Sequence, residues 1–278
     1  MKNQGSLAAC TSFGGIAAIE AVINLYFNQN LNVDLSEMAT LSCAEDIYRA
    51  FDPSWECANI NSPGIFICNA KHIGIPDEAC YPFVDHLTQS TFICDNLCND
   101  YQQRVWKVHD FGQLLPDSYY RNFVLDENNN PVYEGPLLER LRQKHITEGA
   151  LKKTIIEKGP VALDYPTQGH AVVITGWGLD HGGQFWKIKN SWGEAWEERG
   201  FGKIYDSNTQ NFIIGYIETP IYQPAGKNYQ ILCEDKDKDG FCNWGISGNK
   251  PLSCPLSCGN DKDWDDSNPK VGPLGLDK

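Results

Sequence analysis

The sequence predicts an α+β fold, with a helical lobe beside a sheet- or barrel-like lobe, followed by a small acidic appendage. Three observations predict it. Residues 10–27 form one almost wholly apolar helical run. From Gly159 onward the pattern changes to short β-rich runs separated by Gly-containing turns. After about residue 221 long apolar runs give way to Asp, Cys, Pro, Gly and Asn.

Each element follows from local chemistry. The run CTSFGGIAAIEAVINLYF (10–27) is apolar on nearly every face, with one Glu and one Asn, which is the signature of a buried central helix. Its Gly14-Gly15 pair lowers helix propensity but permits close packing. Residues 34–43, DLSEMATLSC, predict a second helix capped by Asp34 or Ser36, with Glu37 in its first turn. Residues 52–100 hold five cysteines among Pro, Gly and Asn, a loop-rich stapled stretch. Residues 126–136, DENNNPVYEGP, read as a polar turn or insertion. Residues 147–158 predict an amphipathic helix stopped by Gly159-Pro160. The strands that follow are VALDY, HAVVITGW, QFWKIKN and FGKIYD. Helices thus dominate the first half and strands the second.

Composition narrows the function. Among 278 residues the formal net charge is −13, with 41% hydrophobic and 21% charged residues, a globular balance rather than a disordered one. An acidic chain is unsuited to nucleic acid or to an anionic membrane face. No run of 18 apolar residues occurs, so no bilayer span is expected. The chain is expected to be a monomer. Its eleven cysteines exceed what a cytosolic enzyme needs, and the odd count leaves one as a reactive thiol once ten pair. That points to an oxidising, extracellular setting. No secretory signal is visible in residues 1–6, so a signal and any propeptide are expected to have been removed or left out. Leu7-Ala8-Ala9-Cys10 superficially resembles a lipoprotein cleavage site, but there the apolar segment must precede the cysteine, and here it follows.

The chemistry centres on Cys10 and His170. Cys10 opens the buried helix, where unpaired N–H groups and the helix dipole stabilise a thiolate. His170 opens the strand HAVVITGWG. A hairpin turning near 181–182 sets residue 170 opposite roughly 192, with Asn190 diagonally across, placed to hold an imidazole in one orientation. The other histidines, at 72, 86, 109, 145 and 181, lie in loops or polar helical stretches with no comparable partner.

Gln4-Gly5-Ser6-x-x-x-Cys10, Gly169-His170-Ala171-Val172 and Lys189-Asn190-Ser191-Trp192-Gly193 resemble the papain-like cysteine peptidases. DLSEMATLSC, Tyr81-Pro82-Phe83, Gly159-Pro160-Val161 and Gly200-Phe201-Gly202 resemble further family segments in the family order, over residues 2 to about 217. The resemblance implies a papain-like two-lobe fold. It implies peptide-bond hydrolysis through an acyl-enzyme thioester with no catalytic cofactor. Cys10 would be the nucleophile, His170 the base and later the acid, and Asn190 the residue orienting His170. Gln4 would donate to the oxyanion hole beside the Cys10 backbone N–H. Trp192 would shield the His170–Asn190 bond, and Gly64, Gly169 and Trp192 would lie on the substrate side. A protein or peptide substrate is implied, with a propeptide or inhibitor in the cleft.

Departures from the family pattern are specific. Leu7 stands where a disulfide cysteine is usual, and Thr11 where a Trp is usual. Together they resemble a bacterial branch reading QG-x-x-x-x-C-T. Only LDYPTQG separates Val161 from His170, where the family places a long excursion. A short 162–169 loop and a more open cleft are therefore expected.

The expected domains are a papain-like peptidase domain over 1–220 and an acidic, Cys-containing calcium-binding module over 221–278. In DKDKDGF (235–241), Asp235, Asp237 and Asp239 alternate before Gly240, like the first half of an EF-hand loop, with the Phe241 carbonyl as a further ligand. Asp261, Asp263, Asp265 and Asp266 can supply the missing oxygens. The pair of clusters resembles thrombospondin type 3-like calcium repeats. Cys233, Cys242, Cys254 and Cys258 read as two disulfides rather than a zinc site, since their spacing is loose and the nearby Asp residues prefer a hard cation. Three functions are therefore weighed: a secreted cysteine endopeptidase, a non-catalytic binding protein on the same scaffold, and a calcium-dependent adhesion module.

Overall fold

The computed structural model describes residues 1–43, 64–85, 94–114, 146–165, 168–205, 209 and 212–270. Helix α1 (Cys10–Phe27) runs through the centre, with Ile16, Ile19, Val22, Ile23 and Phe27 buried. It is long and apolar enough to cross a membrane by length and composition, which the absence of an unbroken apolar run did not suggest. In the fold those side chains pack against the sheet, so it serves as a core helix. Residues 37–43 form α2. Ser36, not Asp34, caps it: the Ala39 N–H donates to Ser36 Oγ at 2.9 Å. Among the described residues, helices α3 (Gly64–His72) and α4 (Tyr101–Arg104) and a 3-10 turn at Cys94–Asn96 follow. Helix α5 (Glu148–Lys158) starts at Thr147, whose side chain accepts from the Ala150 N–H, and stops at Gly159 (φ 89°).

One six-stranded antiparallel sheet faces these helices. Its strands are β1 (Lys107–Leu114), β2 (Val161–Tyr165), β3 (His170–Asp180), β4 (Gly183–Lys189), β5 (Phe201–Ile204) and β6 (Ile213–Tyr222), in the order β1-β6-β2-β3-β4-β5. Alternation places one core on each face. Ala162, Val173 and Ile217 join α1 and α3 on one side. Val161, Leu163, Val172, Ile174 and Ile214 pack with Leu151 of α5 on the other.

Two expectations are corrected. His109 lies neither in a loop nor in a helix but in β1, which pairs with β6, and its Nδ1 lies 3.1 Å from the Tyr222 hydroxyl. Residues 162–165 are not loop but strand, with Tyr165 paired to His170, so only four residues connect β2 to β3. The cysteines at 233, 242, 254 and 258 form two disulfides, as expected, Cys233–Cys254 and Cys242–Cys258, which leaves no thiolate there for zinc. Cys43–Cys94 and Cys80–Cys98 are also bonded, as is Cys68, while Cys10 is the free cysteine among the described residues. The expected insertion at 126–136 lies outside the described residues.

Residues 223–270 pack on the C-terminal end of α1. The Ile246 N–H donates to Leu25 O at 3.1 Å and the Leu232 N–H to Phe27 O at 2.9 Å. Asn28 closes the helix in a left-handed turn (φ 53°), and its amide donates to Leu232 O and Asn243 O. These contacts satisfy carbonyls that a helix end leaves unpaired.

Candidate active site

Packing of α1 against β3 sets the site. Gly14 lies over the backbone of Val172, where an added methyl would come within 3.5 Å of its carbonyl oxygen. This close approach brings the first residue of α1, Cys10, to the first residue of β3, His170. The thiol and the imidazole are near enough to act on each other's proton affinity, and the Ala171 backbone acts on the sulfur as well. The α1 N-terminus has no side-chain cap, so its free N–H groups and dipole face the sulfur.

Asn190 follows β4 directly. A one-residue irregularity between Ile174 and Gly176 shifts the hairpin register, and Val173 pairs with Lys189. Continued, that register puts 170 opposite 192, as the sequence predicts. His170 Nε2 lies 2.8 Å from Asn190 Oδ1, and the Ser191 N–H also donates to that oxygen at 2.8 Å. An atom that accepts a backbone N–H is an oxygen, so the imidazole donates through Nε2 and turns Nδ1 to the sulfur.

The electrostatics follow from these contacts. The His170 hydrogen bond holds the Cys10 thiol below its usual range, despite opposing burial. The Cys10 bond, with help from Asn190, holds His170 above its usual range, again against burial. Both directions favour a thiolate–imidazolium pair. Trp192 stacks on the imidazole, centroids 4.7 Å apart and 28° between planes, and Trp196 meets Trp192 edge-on at 5.7 Å.

Gln4 is buried and fixed from both ends. Its Nε2 donates to Leu7 O at 2.8 Å, Ser191 Oγ donates to its Oε1, and its own N–H donates to Ser191 O at 2.8 Å. Gly169 (φ 60°) precedes His170 at the rim of the site, and Gly64 opens α3. Sequence reasoning missed Ser191 and Lys2. Lys2 Nζ donates to Leu35 O at 2.6 Å and lies 2.9 Å from Glu20, 2.9 Å from Asp34 and 2.8 Å from Glu37, anchoring the segment that carries Gln4. A lysine two residues before the motif glutamine was the available signal.

In the tail the structure sorts the predicted acidic residues. Asp235, Asp237 and Asp239 converge, and so do Asp237, Asp263 and Asp266, with ligand-capable atoms within 4.8 Å of one another. Asp261 and Asp265 belong to neither group, and Asp265 Oδ1 instead accepts from Ser267 Oγ. Asp239 Oδ1 accepts the Phe241 N–H, and Gly240 (φ 90°) makes the expected sharp turn.

Comparison with known proteins follows this geometry. The family described as papain family cysteine protease matches residues 1–220. A cysteine protease of Blomia tropicalis is 26% identical over 208 residues, covering 73% of this chain and 56% of the relative. Ananain of Ananas comosus is 28% identical over 239 residues, covering 84% and 60%. The chain therefore spans less than two thirds of the length of these relatives. These relatives are eukaryotic and lend no support to the bacterial branch. A solved digestive procathepsin L2 from Tenebrio molitor larval midgut shares the fold at TM-score 0.53 and 20% identity, over 79% of this chain and 64% of that one. A structure concerning the mite allergens Blo t 1 and Der p 1 matches at TM-score 0.55 and 21% identity, over 79% and 66%.

Proposed function

The chain belongs to the papain family of cysteine proteases, and from that premise we propose that it is a secreted cysteine endopeptidase. The observation that carries this reading is His170 held at 2.8 Å by Asn190 and acting on Cys10, with Cys10 unpaired in a disulfide-rich chain. In the proposed reaction the Cys10 thiolate attacks the scissile carbonyl carbon. The oxyanion that forms takes hydrogen bonds from the Cys10 N–H and Gln4 Nε2. The C–N bond breaks as His170 gives its proton to the leaving amine, which leaves a thioester. Water then loses a proton to His170, attacks the thioester, and releases the acid and the thiolate. Asn190 holds the imidazole in the tautomer this requires. No cofactor takes part.

A thiol-directed epoxide tests the reading. It is expected to label Cys10 once and to stop cleavage of a dipeptidyl fluorogenic substrate, and Cys10→Ala removes both. Labelling without any turnover by the unmodified chain favours the inactive-scaffold alternative instead.

The proposal extends to residues 221–278 as a calcium-binding module appended to a peptidase domain over 1–220. Asp237, Asp263 and Asp266 each keep a buried Oδ2 without a hydrogen-bond partner, and Asp263 is fully buried. The nearest ammonium, Lys236 Nζ, is 3.8 Å from Asp266 Oδ2. Three such oxygens suit a hard divalent cation that carbonyls and water can complete. A chelator that leaves the melting temperature unchanged would remove this reading, and partner adhesion through the tail rests on the same test. Disulfides favour an extracellular setting. Solved family members include proforms, so a propeptide in the cleft is proposed as the natural inhibitor of a monomeric enzyme.

A further inference from the structure

Beyond the imidazole lies an open depression of about 800 Å3, within the range of ligand clefts. Trp192, Trp196 and Ile188 line its apolar part, and Glu197, Glu198 and Lys203 line its charged part. Beside His170, Tyr165, Gln168 and Gly169 line its edge.

Its position relative to the chemistry gives it a direction. The acyl part of a substrate stays on the Cys10 sulfur, whereas the amine leaves with the proton of His170. The leaving segment must therefore cross the imidazole, away from the sulfur. Trp192 stacks on that ring, and the depression begins there.

Its charge also has a sign. Lys203 Nζ lies 2.7 Å from Asp180 Oδ2, which also accepts from the Tyr205 hydroxyl at 3.0 Å. Glu197 and Glu198 are exposed; neither makes an ion pair within 4.0 Å among the described residues, and Glu198 acts on Lys203 at longer range. Arg199 is exposed and does not line the depression. Among the lining groups the carboxylates of Glu197 and Glu198 outnumber the one ammonium, Lys203, which Asp180 already holds from outside the depression. The turn is also fixed in advance: the Glu198 N–H donates to Phe201 O at 2.9 Å, the Gly200 N–H donates to Trp196 O at 2.6 Å, and Glu197 and Arg199 sit at φ 43° and 56°.

We propose that this depression binds the leaving-side segment of the substrate and selects peptides with an apolar residue directly after the scissile bond and a lysine or arginine next. The inference rests on the peptidase reading above and names the substrate class for that site.

The test uses the intact chain and internally quenched peptides with one acyl-side sequence. Leu follows the scissile bond, and Lys, Gln or Glu comes next. The Lys peptide is expected to exceed the Glu peptide in kcat/KM by about tenfold at low salt, with the ratio falling as ionic strength rises. In the Glu197→Gln/Glu198→Gln variant that ratio drops to about twofold or less. Equal rates for the three peptides, or a ratio that persists in the double variant, overturn the inference. If no peptide is cleaved, the peptidase reading fails on its own. Calorimetric affinity of the Cys10→Ala variant for the same peptides still decides the site: tighter binding of the Lys peptide supports it, and equal affinities overturn it.

Discussion

Replacing Lys2 with Met tests whether the catalytic arrangement depends on a single buried ammonium. Lys2 is surrounded by three carboxylates and a carbonyl at 2.6–2.9 Å. The Glu37 side chain is 1% exposed and that of Glu20 11%, while Asp34 is largely in water and adds little. Burial lowers the affinity of Lys2 for its proton, but Glu20 and Glu37 outweigh it and raise that affinity overall. Breaking a buried ion pair from one side costs about 3–5 kcal/mol. Burial also pushes Glu37 up to about 8 despite Lys2, so less than its full charge is left unpaired near neutral pH when Lys2 is removed. The lower end, about 3 kcal/mol, is therefore expected near pH 7.

For a chain of this size that corresponds to a fall of about 6–12 °C in melting temperature. The loss grows with pH. A carboxyl whose folded pKa lies above its unfolded value favours the folded state most below the unfolded pKa, 4.5 here. That contribution disappears as pH rises through about 8. Function should suffer too, because the segment bearing Gln4 loses its charged anchor and is left with neutral contacts such as Gln4 N–H to Ser191 O, Ser191 Oγ to Gln4 Oε1 and Gly193 N–H to Lys2 O, besides a long ion pair of the exposed Glu194 with the N-terminus. A fall of about tenfold in kcat is expected, short of the loss for removing an oxyanion donor outright. Thermal melts at pH 5 and pH 8, with kinetics on one peptide, check this. Adding Glu37→Gln should recover part of the stability. A melting point within about 2 °C of the parent, or a larger loss at pH 5 than at pH 8, would refute the reasoning.

Three further outcomes are expected. Asn190→Ala removes a bond to a charged imidazole, worth about 1.5–3 kcal/mol, so kcat should fall about 10- to 100-fold. Because that bond helps hold His170 above its usual range, the alkaline limb of the pH–rate profile should also move to lower pH; an unmoved limb counts against it. Calcium at a hundredfold over its Kd should add about 2.7 kcal/mol to unfolding, and Asp263→Asn should abolish the effect in melts with and without chelator. Gly245→Ala would set a methyl 1.8 Å from Leu25 O at φ 66° and should cost at least about 2 kcal/mol in denaturant titration.

What the sequence revealed followed from local rules. The uniform apolarity of residues 10–27, the helix stop at Gly159 and the hairpin turn at 181–182 each act within a few residues, and each stands where expected. The same rules hid β1. Its KVHDFGQL carries His, Asp and Gln, and its partner β6 lies about a hundred residues on, so only long-range pairing makes it a strand. Lys2 was hidden for a related reason. One lysine in a polar N-terminus looks solvated until α1 and the 34–37 turn bring three carboxylates to it. In the tail, alternating Asp residues mark a cation loop but not which turn each joins, so the carboxylates of Asp261 and Asp265 stay outside the two convergent groups.

The tail matters to the site because α1 has two ends. Its first residue bears the sulfur, and its last carbonyls are taken by Leu232 and Ile246. Tyr229, Ile231 and Ile246 pack on the same core that holds Ile19 and Ile23. Lys262, next to the acidic cluster, donates to Gly245 O and Ser247 O at 2.7 and 2.9 Å, and Gly245 touches Leu25 O. Contacts therefore run without a gap from the carboxylates of the tail to the helix that presents Cys10. A cation in that cluster would stabilise the turn that closes α1, so losing it should lower the temperature at which cleavage fails before it changes kcat. A chelator that lowered kcat at 25 °C while leaving the melting curve in place would show that the two ends of α1 communicate by some other route.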